Sequence, residues 1–480
     1  MKDIHKLMDE CDATALAGLI KQGEVKKTEL LEASIERLEK VNPALNAVAE
    51  ELYQSARDAE PTSGVFEGIP TLVKDLFAPV KEARMTNGSI ALGEARPQLD
   101  DSVVSRLRES GIRFIGTSTA PEFGTSYTTE STRFGATHNP WHLQHSAGGS
   151  SGGAAAIVAS RVVPFAHGND GGGSLRVPAS CCGVFGLKPS RGRVPSGPLV
   201  GEGWGGMGTA HAITLSVRDS AALLDIVSGA DLGAPYASPT DNKPFAASLN
   251  DDPLKPLRIA LIEDAGPWPV SPAALDSVRH AAKLCNTLGH HVEVVKFPVD
   301  LLSFFEAAFN IIGPNTKSYV DMLGDMRGAP VQNEELEPAT RIIVREKGTI
   351  SAVQYVRSIE QIHALGRQMA AFLQKFDLLL TPTVVREPPQ IGELHVLDES
   401  MSLEQFIELS HSYSPYTAVF NGTGQPAMSV PLYWSNNGLP IGSHFVGRFG
   451  DEATLFKLAR QLEQLQPWNQ RVPPVNACMR

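Results

Sequence analysis

Between Thr28 and Val41 the apolar positions Leu31, Ile35, Leu38 and Val41 recur at intervals of three and four. That spacing predicts a helix with one buried face, ended by Asn42-Pro43. Gly68 to Asp75 is a short apolar run bounded by glycine and proline, which predicts a buried strand with a lysine, Lys74, near its end. Ser102 to Glu109 reads as a helix stopped by Gly111, and Arg113 to Gly116 as the next strand. Val217 to Val227 predicts another helix, and the Gly, Pro, Ser and Asp residues from Gly229 to Pro253 a linker-like loop. Leu257 to Ile262 then reads as a strand and Ser271-Pro272 as a capped helix start. Leu275, Val278, Ala282, Cys285 and Leu288 continue that helix, and His291 to Val295 supplies a further strand. The stretch from about 301 to 375 is mostly helical in pattern. Phe376 to Leu380 reads as a strand turning at Thr381-Pro382-Thr383, and the chain closes with a strand around Phe445-Val446 and a helix from Glu452 to Leu465.

Strand, helix, strand order implies α/β architecture. Of 480 residues, 42% are hydrophobic and 20% charged, enough for a large buried core and too mixed for a disordered chain. A formal net charge of −11 repels phosphate backbones and speaks against nucleic acid as a partner. No run of apolar residues is long enough to span a membrane, and charges recur through the first thirty positions, so neither a membrane span nor a signal peptide is expected. Five cysteines are scattered at 11, 181, 182, 285 and 478, without disulfide-framework or zinc-site spacing, and a reducing cytoplasm is the expected location.

The densest anomaly is Ser146-Ala-Gly-Gly-Ser150-Ser-Gly-Gly153, followed after a small-residue segment by Gly168-Asn-Asp-Gly-Gly-Gly-Ser174-Leu-Arg176-Val-Pro178. Glycine runs can cradle phosphate, but no Gly-x-Gly-x-x-Gly opens a βαβ unit here. Gly183 to Lys188 also carries Pro189 where a phosphate loop needs Ser or Thr. A serine at the end of a glycine-rich turn can instead be approached closely, and backbone N–H groups there can converge on an oxyanion. Serine needs a base to act as a nucleophile, and a lysine in apolar surroundings, as Lys74 is placed, loses its charge preference and becomes one.

These residues carry a resemblance to the amidase signature family. Gly-Gly-Ser-Ser-Gly-Gly, an alanine-rich helix, Gly-x-Asp-x-Gly-x-Ser and hydrophobic-Arg-x-Pro-Ala are all met between 148 and 179, supported by the lysine segment, Cys182 to Pro189 and Gly438 to Gly447. The resemblance implies a single large domain with a mixed central sheet covered by helices on both faces. Within it would lie an N-terminal helical part (1–65), the signature core (66–230), a variable substrate-pocket region (231–400) and a C-terminal return to the core (401–480). It further implies a Ser-cisSer-Lys triad with Ser174 as nucleophile, Ser150, preceded by a cis peptide, as bridging serine, and Lys74 as base. The N–H groups of Gly171, Gly172, Gly173 and Ser174 would form the oxyanion hole, with no cofactor and no metal, and Asp170 and Arg176 would support the turn. Asn169 stands where the family very often has threonine. His167 to Asp170 and Asn139-Pro-Trp141 are similar to one branch of the family, implying a non-peptide linear, cyclic or aryl amide. The same relay would open an ester or carbamate, and the family also includes the glutamine-hydrolysing subunit of a tRNA-dependent amidotransferase.

The expected partner is therefore a small-molecule amide, with a homodimer as the base-rate expectation for assembly. Ser151 reads as a structural hydroxyl, because the family's spacing of 24 residues to Ser174 selects Ser150. His138, His142 and His145 have helical metal-ligand spacing, but Pro140 between them argues against a helix. Cys181 and Cys182 read as packed thiols. Gly201 to Gly208, with Trp204, is a candidate pocket lip. Phe304, Phe305, Phe309 and Ile312 read as a core face with some members in reach of the acyl site, and Tyr413 and Tyr416 are candidate substrate contacts.

Overall fold

The computed structural model describes residues 3–60, 62–240, 243–251 and 254–478. Two sheets organise it. In the smaller, β1 (Val48–Glu51) runs antiparallel and β2 (Pro70–Lys74) parallel to β3 (Arg113–Ser118), in the order β1-β3-β2. The larger is built from β4 (Phe165–Asp170), β5 (Phe185–Lys188), β6 (Thr209–Thr214), β7 (Arg258–Leu261), β8 (His291–Val294), β9 (Leu378–Pro382), β10 (Ala427–Trp434) and β11 (Pro440–Val446). Its spatial order is β8-β7-β9-β11-β10-β5-β6-β4. β7 pairs in parallel with β8 and β9, while the remaining neighbours are antiparallel. The sheet is therefore mixed.

Alternation along β9 shows how both faces are covered. Leu378 and Leu380 pack with Val278, Ala281 and Cys285 of the helix Pro272–Thr287 and with Leu455 and Leu462 of the helix Glu452–Leu465. Leu379, pointing the other way, packs with Val177 and Cys181 of the helix Arg176–Cys182 and with Phe304 and Ile312 of the long helix Leu301–Arg327. The site lies on this second side.

Predicted and observed elements differ where tertiary contacts override local signals. The helix predicted to end at Asn42-Pro43 continues to Leu45 and closes on the left-handed Asn46 (φ 51°), because Leu45 is fully buried and Asn42 Oδ1 takes the Ala47 N–H at 2.8 Å. The expected turn at Thr381-Pro382 is strand instead. Thr383 N–H bonds Gly442 O at 3.1 Å, so by alternation the Pro382 nitrogen points to the other side, where β7 has already ended at Leu261 and no donor is needed. Part of the predicted linker is the short helix Phe245–Ser248, whose first N–H groups Asp225 accepts at 2.7 and 2.9 Å. Pro253, the predicted end of that loop, lies outside the described residues. Among the described residues no helix is long and apolar enough to cross a membrane.

Candidate active site

Lys74 ends β2, and β2 is clamped to β4: Thr71 Oγ1 donates to Phe165 O at 2.7 Å and the Lys74 N–H to His167 Nδ1 at 3.3 Å. The lysine side chain is thereby held in the interior, with 0% of its surface exposed. Its Nζ lies 2.7 Å from Ser150 Oγ and 2.6 Å from Asn169 Oδ1, with the Asn169 carbonyl at 3.5 Å. Loss of hydration pushes the amine well below the usual lysine range. The Asp170 carboxylate opposes that shift but is itself neutralised by Arg176. A neutral amine has two N–H donors and one lone pair. With the amine neutral, the two Asn169 oxygens can take its donors and leave the lone pair facing the Ser150 hydroxyl.

Ser150 follows a cis Gly149–Ser150 peptide and precedes the helix Gly152–Ala159, every residue of which is buried. That helix sits close because its first residues lack side chains. A Cβ on Gly153 would come within 2.5 Å of Thr119 Oγ1 and 2.7 Å of the Ala47 carbonyl. Ser151 turns away and donates to Asn169 O at 3.2 Å.

The second glycine-rich segment opens as strand β4 and turns at Asp170. Burial alone would raise the Asp170 carboxyl, but the Arg176 guanidinium overrides this and holds it well below the usual carboxylate range. Arg176 Nε and Nη2 donate to it at 3.0 and 2.9 Å, and the N–H groups of Gly173 and Leu175 at 2.7 and 3.0 Å. This corrects one expectation. The Gly173 N–H is committed to Asp170 rather than offered to an oxyanion, and the carbonyl of the same peptide, Gly172 O, accepts from Tyr127 Oη at 3.0 Å and Thr417 Oγ1 at 2.8 Å. The pinned peptide orients its neighbours. Among the described residues no acceptor takes the N–H of Gly171, Gly172 or Ser174. Gly173 must be glycine, since its φ is +144° and a Cβ would sit 2.5 Å from Thr417 Oγ1.

Ser174 lies where two cavities meet. The outer, about 350 Å³, is lined by Ser150, His167, Asn169 and Gly171 together with apolar side chains such as Phe77 and Met322. The inner, about 40 Å³, is walled by Tyr127, Met207, Phe304, Phe309, Ile312 and Ile343. Gly124, Gly171, Ser174 and Trp204 border both. Trp204 thus forms a wall between the two, and Phe304, Phe305, Phe309 and Ile312, read as a core face, also face the inner cavity. Tyr413 and Tyr416 do not reach either space: both are fully buried, with Tyr413 Oη 3.2 Å from Cys181 Sγ.

Other titratable groups are poorly suited to the chemistry. Burial pushes His167 down to about 3, and its Nδ1 already accepts from the Lys74 backbone. Burial pushes the Cys181 thiol up to about 12 and Cys182 well above its ordinary value. His138 Nδ1 and His145 Nδ1 sit 2.6 and 2.7 Å from the carbonyls of Leu143 and Pro388, and no metal-binding cluster occurs among the described residues. The sequence reading missed Asn169 as a partner of Lys74, and the contributions of Tyr127, Thr417 and Asn421. Asn421 Nδ2 donates to Asp170 O and Oδ1, both at 2.9 Å. Of these only Asn169, a departure inside the motif, carried a local signal.

The site thus sets two glycine-rich turns against the mixed sheet, with a buried amine bonded to a serine. The family model "Amidase" matches residues 29–456, and the chain belongs to that family. It is 38% identical over 477 residues to the 6-aminohexanoate-cyclic-dimer hydrolase of Paenarthrobacter ureafaciens, covering 96% of each chain. A structure of 6-aminohexanoate cyclic dimer hydrolase complexed with substrate superposes with a TM-score of 0.93 at 36% identity, covering 97% of this chain and 99% of the other. A bacterial aryl acylamidase of the amidase signature family gives 0.87 at 29% identity, covering 96% and 97%. The protein is an amidase signature enzyme, a hydrolase of non-peptide C–N bonds.

Proposed function

We propose that the protein cleaves a non-peptide linear, cyclic or aryl amide through an acyl-enzyme on Ser174, with Ser150 as proton relay and Lys74 as base. The observation that carries this reading is the fully buried Lys74 amine 2.7 Å from Ser150 Oγ. Neutral Lys74 takes the Ser150 proton as Ser150 takes that of Ser174, whose Oγ attacks the carbonyl. The N–H groups of Gly171, Gly172 and Ser174 are the donors available to the developing oxyanion. Ser150 then returns a proton to the departing nitrogen, and water repeats the relay to release the acid. The substrate class is supported by the names of the similar enzymes, a cyclic-dimer hydrolase and an aryl acylamidase.

A serine-directed fluorophosphonate tests the reading. It is expected to label Ser174 in the native protein, slowly or not at all after Lys74→Ala, and an activity screen across aliphatic, aryl and cyclic amides is expected to give turnover that Ser174→Ala abolishes. Turnover undiminished in Ser174→Ala would overturn the assignment.

A further inference from the structure

His411 lines the inner cavity in an otherwise mostly apolar wall. Its ring is surrounded by aromatic rings: Phe305 at 4.8 Å, Phe309 at 5.0 Å and Tyr127 at 5.1 Å between centroids. Its Nδ1 is enclosed without a hydrogen-bond partner, which is costly for a buried polar atom and uncommon in a folded interior. His411 also ends the π-helical turn Ile407–His411, a wide-turn geometry that occurs frequently at functional sites. Burial pushes the imidazole down to about 3, so it is neutral, with one donor and one acceptor nitrogen.

Which side of the scissile bond enters this cavity follows from the proton relay. The leaving nitrogen must lie next to Ser150, which lines the outer cavity only; Ser174 borders both. The leaving amine therefore occupies the outer cavity and the acyl chain the inner one. Tyr127 spans the two functions, its ring edge-on to His411 and its hydroxyl on Gly172 O.

Resting on the acyl-enzyme reading above, we infer that His411 is a specificity-determining residue. It recognises an uncharged hydrogen-bonding group near the end of a short acyl chain, such as a terminal carboxamide. The inner cavity of about 40 Å³ has room for about three water-sized groups, which limits the chain to a few atoms. A carboxylate at the same position would enter a site that holds no cation for it and would be disfavoured.

The test uses para-nitroanilides of succinamic acid and isocaproic acid, which match in shape and differ in a carboxamide against an isopropyl end. The native enzyme is expected to favour the succinamoyl compound in kcat/KM by about tenfold, the net worth of one neutral hydrogen bond. His411→Phe, which keeps the aromatic packing, is expected to reverse that ratio. A ratio within twofold of unity in the native enzyme, or the same ratio in both proteins, would overturn the inference. So would a preference for the succinic half-anilide, whose end group is charged. Binding of the two anilides to Ser174→Ala, measured by calorimetry, reports the same preference without chemistry. Turnover that survives in Ser174→Ala sinks the nucleophile assignment, whereas equal binding of the two compounds to it sinks the role of His411.

Discussion

Asp170→Asn is the sharpest perturbation of the proposed oxyanion turn, because one carboxylate organises it. Asp170 Oδ1 accepts from Gly173 N, Arg176 Nη2 and Asn421 Nδ2, and Oδ2 from Leu175 N and Arg176 Nε. An asparagine keeps one acceptor oxygen and replaces the other by a donor. Its better orientation leaves the amide oxygen on the three-donor side and sets its NH2 against Leu175 N–H and Arg176 Nε–H. Two buried donors are then unpaired, at about 1–3 kcal/mol each, and the fully buried Arg176 loses its counter-charge. The total agrees with the about 3–5 kcal/mol observed when one partner of a buried ion pair is removed. Because Asp170 is held below its ordinary pKa, its stabilisation is present at neutral pH and is lost only as pH falls through the carboxylate range. The assay is urea unfolding at neutral pH followed by far-ultraviolet circular dichroism, with kcat/KM measured on the same samples. The loss of stability is expected at that magnitude, and each oxyanion donor displaced with the turn is expected to cost about 100-fold or more in kcat. A destabilisation under about 1 kcal/mol with kcat/KM nearly unchanged would refute the claim that Asp170 builds the turn.

Three further outcomes follow from the same geometry. Gly173→Ala forces a side chain onto Thr417 at a positive φ and should cost about 1–3 kcal/mol, with kcat falling more than KM rises; a variant with native stability and kcat would contradict the pinned peptide. For Lys74, whose folded pKa is depressed, the unfolded chain binds more protons between the folded midpoint and the ordinary lysine value, so native stability rises with pH there by up to about 1.4 kcal/mol per unit. Lys74→Met removes that slope, while its lost bonds to Ser150 and Asn169 shift the curve by a constant; parallel urea-midpoint curves for the two proteins would show Lys74 charged in the fold. In the native enzyme kcat/KM should rise through the same midpoint, on the acid side of the ordinary lysine range, and a limb at about pH 10 would contradict the depressed pKa.

The legible elements were those with local boundary signals, a cap, an amphipathic stripe or flanking glycine and proline. Helices such as Ser102–Glu109, Val217–Val227 and Glu452–Leu465 carry a capping side chain and an amphipathic stripe, and their bounds were readable to the residue. The strands β4, β5 and β10 have interior positions buried on both sides, so they show no clean alternation. β4 also passes through Gly168 to Asp170, where glycine and asparagine signal a loop, and only its pairing with β6 makes it a strand. In the site, the family motif marked Lys74, Ser150 and Ser174, and the apolar run before Lys74 foretold its burial. The diversion of the Gly173 N–H to Asp170 was hidden, because it depends on Tyr127 and Thr417 holding the other end of the peptide from distant parts of the chain. His411 was hidden for the same reason, as its aromatic surroundings come from Tyr127 and from Phe305 and Phe309, two segments far from it in the chain.

The proposed relay requires Lys74 to carry no proton at neutral pH. Its ionisation can be followed by carbon NMR of the Cε position in lysine-labelled protein, with the Lys74→Met spectrum fixing the assignment and separating it from Lys188, which burial pulls down to about 7. The expected spectrum shows the shift of an uncharged amine at neutral pH and a midpoint well below the ordinary lysine value. A Lys74 resonance that remains that of an ammonium up to the ordinary lysine range would contradict it.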